Sequence, residues 1–115
     1  MKKLLAPLVV TLMATSASAD DLTATQKQYF GYWLSATIAV DKCSNLAENP
    51  DKEDEIARKY LQIQVDQMSS VAAYSADETR KVIGAYERGP AEFCYDAVHS
   101  FGPHGVIVAR LLKVK

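Results

Sequence analysis

Residues 25–47 read TQKQYFGYWLSATIAVDKCSNLA, and this stretch decides the fold class. It opens on Thr25-Gln-Lys-Gln28, a capping-box pattern in which a threonine hydroxyl and a glutamine side chain three residues later satisfy each other's backbone N–H groups. The pattern predicts a first helix from Thr25 to about Ala47. Lys27, Gly31, Ser35, Lys42 and Asn45 make a narrow polar stripe, and nearly everything else, including Tyr29, Trp33, Val40 and Cys43, is apolar. A helix apolar over so much of its circumference predicts the central helix of a bundle.

Outward toward the C-terminus the period stays helical, with no run of clean two-residue alternation. Asn49-Pro50-Asp51 breaks the first helix and offers Asp51 as the next N-cap. The second helix is predicted to run to about Ala73, burying Ile56, Tyr60, Leu61, Ile63, Val65, Met68 and Ala72, with Gln62, Asp66 and Ser69 on its far side. Ser75-Ala-Asp-Glu78 is a second capping box and predicts a third helix carrying Val82, Ile83 and Tyr86. Gly89-Pro90 supplies a C-cap and an N1 proline that open a fourth helix, the alternative being one kinked helix. Phe93, Ala97 and Phe101 recur at four-residue spacing, flanked by Cys94 and Val98, until Gly102-Pro103. Val106–Leu112 is rich in β-branched residues, but a lone strand needs a partner, so it reads as an extended or short helical tail. The expected fold is all-α: a small four-helix bundle stapled by one disulfide, with that C-terminal segment packed on it.

Toward the N-terminus the chain reads as an address. Lys2-Lys3, an apolar stretch from Leu4 to Met13, and Ala17-Ser18-Ala19 followed by Asp20-Asp21 have the order of a secretory signal. Residues 1–19 are therefore expected to be cleaved, leaving a single helical domain over 20–115, periplasmic or secreted. The apolar stretch falls well short of the ~20 residues that span a bilayer. With no cysteine at the cleavage point, no stable membrane anchor is expected afterwards. Cys43 and Cys94 are the two cysteines of the chain. In an oxidising compartment they are expected to pair as a structural disulfide, because a redox pair would take C-x-x-C spacing.

The 115-residue chain has a formal net charge of −1, and loss of Lys2 and Lys3 with the signal makes the remainder more acidic. Arg110, Lys113 and Lys115 near the end do not amount to the clustered basic face that nucleic-acid binding requires. Glu92, Asp96 and His99 share a face of the fourth helix, and His104 follows Gly102-Pro103. A metal site of Asp96, His99 and His104 would lack a second histidine at helical spacing and a fourth ligand, so these residues read as a solvated face, and neither metal nor cofactor is expected. Ser69, Ser70, Ser75 and Ser100 lie outside any G-x-S-x-G motif, and nothing singles out a catalytic pair among the 14 acidic residues. No enzymatic activity is expected.

The aromatic surplus is the informative feature. Tyr29, Phe30, Tyr32 and Trp33 wrap more than half of the first helix, so one side must pack inward and the other meet the tail, a second copy or a partner. They form the candidate interface. The Gly31, Ser35 and Ala39 row beside them would let another helix approach closely. In general plan the chain resembles the small acid-stress periplasmic chaperones and the small periplasmic immunity or inhibitor proteins; no site residue is carried over from either. The expected function is non-enzymatic protein binding in the periplasm by an inhibitor, immunity or assembly-type factor, its partner unidentified, with homodimerisation a further use of the same surface. The alternative is a stress or acid-protective chaperone. Protonating the carboxylates would leave a cationic, cross-linked chain exposing apolar surface at low pH.

Overall fold

A competition between two Thr-x-x-Gln frames sets the start of the first helix. In the computed structural model, which describes residues 21–115, helix α1 spans Ala24–Lys42 and is capped by Thr23 instead of Thr25. Thr23 Oγ1 accepts from the Gln26 N–H at 3.0 Å, and Gln26 Oε1 accepts from the Thr23 N–H at 2.9 Å. The frame is decided by tertiary bonds: Gln26 Nε2 also donates to the Leu61 carbonyl at 2.7 Å, whereas Gln28 is exposed and its side chain donates to the Tyr32 hydroxyl one turn along the same helix. The expected signal peptide, residues 1–19, lies outside the described residues.

Helix α1 stops at Lys42, short of Ala47, because Cys43 is extended. The residues that follow form strand β1, Leu46–Glu48, which pairs antiparallel with strand β2, Leu112–Val114, in the register Leu46↔Val114 and Glu48↔Leu112. The C-terminal segment thus ends in a short strand, and its partner lies where the first helix was expected to continue.

Helix α2 spans Pro50–Ile56, with Pro50 in the first turn. Asn49, and not Asp51, occupies the N-cap position, and its side chain donates to the Arg110 carbonyl at 2.7 Å instead of capping. A π-helical turn, Ala57–Leu61, follows and ends at Gln62, whose φ of 42° is left-handed. The expected helix to Ala73 is therefore cut at Leu61. Val65 is 91% exposed and Met68 59% exposed, and Ala72 is exposed too, so these three do not belong to the core. Local apolar spacing gives way here to the Gln26 amide, which captures the carbonyls that continued helix would use.

A single 3₁₀ turn, Val65–Gln67, leads into helix α3, Met68–Arg88. Ser75 lies inside this helix, not at a cap. The acids of the supposed capping box instead pair along the surface, Asp77 with Arg80 at 3.0 Å and Glu78 with Lys81 at 3.3 Å. Gly89 is extended and breaks the chain, and Pro90 starts helix α4, Pro90–Phe101, so the junction is a break and not a kink.

Past α4 the chain folds back on the helix end. The N–H groups of Val106 and Ile107 donate to the carbonyls of His99 and Ser100, each at 3.0 Å, satisfying acceptors that a helix terminus leaves open. Gly105 permits this return, since a Cβ there would sit 2.5 Å from the Ser100 carbonyl oxygen. Arg110, left-handed at φ 67°, then turns Leu111 and Leu112 inward.

The buried cluster consists of Ala36, Ala39, Cys43, Leu46, Ile56, Ala97, Phe101, Val108, Leu111 and Leu112. It draws on α1, α2, α4, β1 and the C-terminal segment, while α3 adds none of its apolar residues. The described residues are mostly helical, with four helices, but a four-helix bundle is not confirmed, since the buried cluster takes no residue from α3. A disulfide joins Cys43, just beyond α1, to Cys94 in α4, with Cα atoms 5.8 Å apart. Disulfides persist in oxidising compartments, so this bond suggests a non-cytoplasmic environment. Among the described residues no helix is long and apolar enough to cross a membrane.

Candidate interface

The four aromatics of α1 divide between two faces. Tyr29 stacks on Tyr60 of the π-helical turn, with ring centroids 3.8 Å apart and planes 5° from parallel, and meets Tyr32 edge-on at 5.4 Å. Tyr32 in turn packs near Phe101 at 6.0 Å. This pair borders the buried cluster. Phe30 and Trp33 meet edge-on at 5.5 Å on the adjacent face, and Phe30 also contacts Tyr74 of α3 at 6.1 Å. Phe30 is buried and Trp33 half-buried. The expected interface residues thus lie on two faces: Tyr29 lines one concavity with Ile56, Tyr60 and Val108, and Phe30 and Trp33 share another.

That concavity is a cleft of about 430 Å³ between α1 and the α2–π segment. Phe30 and Trp33 line one side, and Pro50, Glu53, Asp54, Ala57 and Leu61 the other. Its volume lies within the ~300–1,000 Å³ usual for binding clefts. The left-handed stop at Gln62 turns the chain away just past Leu61, and the Gln26 amide holds the Leu61 carbonyl in place. A second helix continued to Ala73 would have no such end beside α1. Pro50, Glu53, Asp54, Ala57 and Leu61 were therefore not legible as site residues.

The charges around the cleft are unevenly paired. Asp54 holds Arg58 at 2.9 Å, while Lys52 and Lys59 both turn to Glu55, at 3.1 and 3.4 Å. Glu53 forms no ion pair among the described residues. Its partial burial, with Glu48 nearby as a like charge, pushes its carboxyl above the usual range. Glu55 is shifted the other way, lowered by hydrogen bonds from Lys52 and Lys59.

The Gly31 row is used within the chain. Tyr74 of α3 donates its hydroxyl to the Lys27 carbonyl at 2.8 Å and lies 3.3 Å from where a Cβ on Gly31 would sit. Ala39 is fully buried. Asp96, His99 and His104 do not converge: among the described residues no three His, Cys, Asp or Glu side chains form a group able to hold a metal. His99 instead stacks on Tyr95, planes 5° from parallel at 6.3 Å. Ser70 is buried and donates to the Asp21 carboxylate at 3.0 Å, a structural tie between α3 and the start of the described chain.

No protein-family model matches the chain, and no curated protein or solved structure matches it.

Proposed function

We propose that this protein is exported to the periplasm or beyond and acts, without catalysis, by binding a protein partner through the cleft lined by Phe30 and Trp33. The observation that supports this reading is an apolar concavity containing the chain's single tryptophan, a residue type over-represented where binding energy concentrates. An inhibitor, immunity or assembly role fits such a fixed surface, because each needs one stoichiometric partner. The test is Ala57→Arg, which places a long charged side chain on an exposed cleft residue and leaves the buried cluster intact. The wild-type protein should hold one partner at a fixed ratio through gel filtration, and the variant should lose it while keeping its helical circular dichroism. Retention of the partner by the variant would contradict the cleft as the binding surface.

An acid-protective chaperone is the second reading, favoured by a different observation. Val65, Met68, Tyr95, Val106, Ile107 and Val114 are large, apolar and exposed, and they are scattered over several elements instead of forming one site. A surface of that kind suits many clients weakly. Aggregation of unrelated proteins in acid, with and without this protein at equal amounts, separates the two readings, since a dedicated binder gives no general protection.

A further inference from the structure

We infer that the Phe30–Trp33 cleft is built for a partner segment in which a large apolar side chain stands next to a lysine or arginine, the apolar group against the rings and the cation against Glu53. The inference rests on the cleft being the binding surface and adds the chemistry of the occupant. The lining is apolar except at Glu53 and Asp54, and among the described residues no basic side chain lines it. Asp54 is already paired with Arg58, and the two lysines of the same segment are both turned to Glu55. Glu53 alone at the lip is half-buried without an ion-pair partner among the described residues. An incoming cation would meet an uncompensated carboxylate, whereas an incoming anion would meet repulsion from Glu53 with Glu48 behind it. The raised Glu53 carboxyl agrees, since an unpaired, partly desolvated carboxylate holds its proton more tightly than a free one.

The occupant is taken to be a segment of another protein. A second copy of this chain would have to bring its own basic apolar segment, and would show as a concentration-dependent change at Trp33 in the protein alone. The single tryptophan makes the test direct, because one indole N–H resonance reports the cleft. The oxidised, ¹⁵N-labelled protein is titrated with three acetylated, amidated hexapeptides, identical except that the residue after a central phenylalanine is lysine, glutamine or glutamate. The lysine peptide should move the Trp33 resonance with a Kd about 3- to 5-fold below that of the glutamine peptide, the range of a partly exposed ion pair, and the glutamate peptide should bind most weakly.

Glu53→Gln removes the charge without breaking an observed ion pair, and should bring the lysine and glutamine peptides within about twofold of each other. Equal Kd values on the wild type, or a lysine preference that survives Glu53→Gln, would overturn the inference and leave the cleft as a binding surface. A Trp33 resonance that no peptide moves would overturn both. A shift with protein concentration alone would give the cleft to a second copy and overturn the inference as well.

Discussion

Glu53 and Glu55, two residues apart on one short helix, occupy opposite electrostatic settings: Glu53 lines an apolar cleft without an ion pair among the described residues, and Glu55 is gripped by both Lys52 and Lys59. Side-chain carbonyl NMR titration should therefore find Glu53 protonating at higher pH than Glu55. For Glu53 the folded state binds the proton more tightly than the unfolded one, so its contribution to stability is present in acid and lost as pH rises through the folded value. For Glu55 the contribution is present above the unfolded value and lost as pH falls through the folded one. Added salt should shrink the Glu55 shift, which comes from charged partners, more than the Glu53 shift, which comes first from burial.

The staple gives the largest expected loss. Cys43 and Cys94 are separated by 51 positions, and the chain-entropy account assigns a loop of that size about 4 kcal/mol. Cys43→Ser should lower urea-unfolding stability by about 2–5 kcal/mol. A double Cys43→Ser, Cys94→Ser variant as stable as wild type would show that the bond constrains little.

Gln26 carries an unusual share of the polar bonding for one side chain. It caps α1, donates to the Leu61 carbonyl, and exchanges two amide hydrogen bonds with Gln67, at 2.8 and 3.1 Å. Gln26→Ala should cost about 1–3 kcal/mol, because one buried side chain ties together part-buried groups at Thr23, Leu61 and Gln67 that would all lose a partner. Hydrogen exchange should localise the loosening to residues 61–67 and the first turn of α1, sparing α4.

The C-terminal segment is core and not decoration. Leu111 is fully buried between the strands and helices, so Leu111→Ala should cost about 2–5 kcal/mol. Val65 offers the contrast: it is 91% exposed, and Val65→Ser should change stability by no more than about 0.5 kcal/mol. A large effect at Val65 would restore the longer second helix that its sequence pattern suggests.

These contrasts mark how far local pattern reaches. Ala97 and Phe101 pack inward as their four-residue spacing implies, and the two cysteines pair as their isolation implies. The start of α1 is ambiguous by two residues because Thr-x-x-Gln occurs in two overlapping frames, and only Gln26 reaches Leu61. The end of α2 is invisible for the same reason: apolar spacing continues through Met68, while the interaction that stops the helix arrives from residue 26. The β1–β2 pair joins residues 46–48 to 112–114, a long-range contact that neither segment announces by itself. At the candidate site, Phe30 and Trp33 stand out as part of an aromatic surplus. Glu53, Ala57 and Leu61 enter only once the second helix is known to end beside them.

The central claim is that the Phe30–Trp33 cleft holds one protein partner, and site-specific photo-cross-linking in the producing cells tests it most directly. A photoreactive amino acid replaces Ala57 at the cleft, and in a control replaces Arg80 on the exposed face of α3. The account predicts a single adduct of defined mass from position 57, absent from position 80 and weakened by Glu53→Gln. No adduct from position 57, or the same ladder of adducts from both positions, would contradict it.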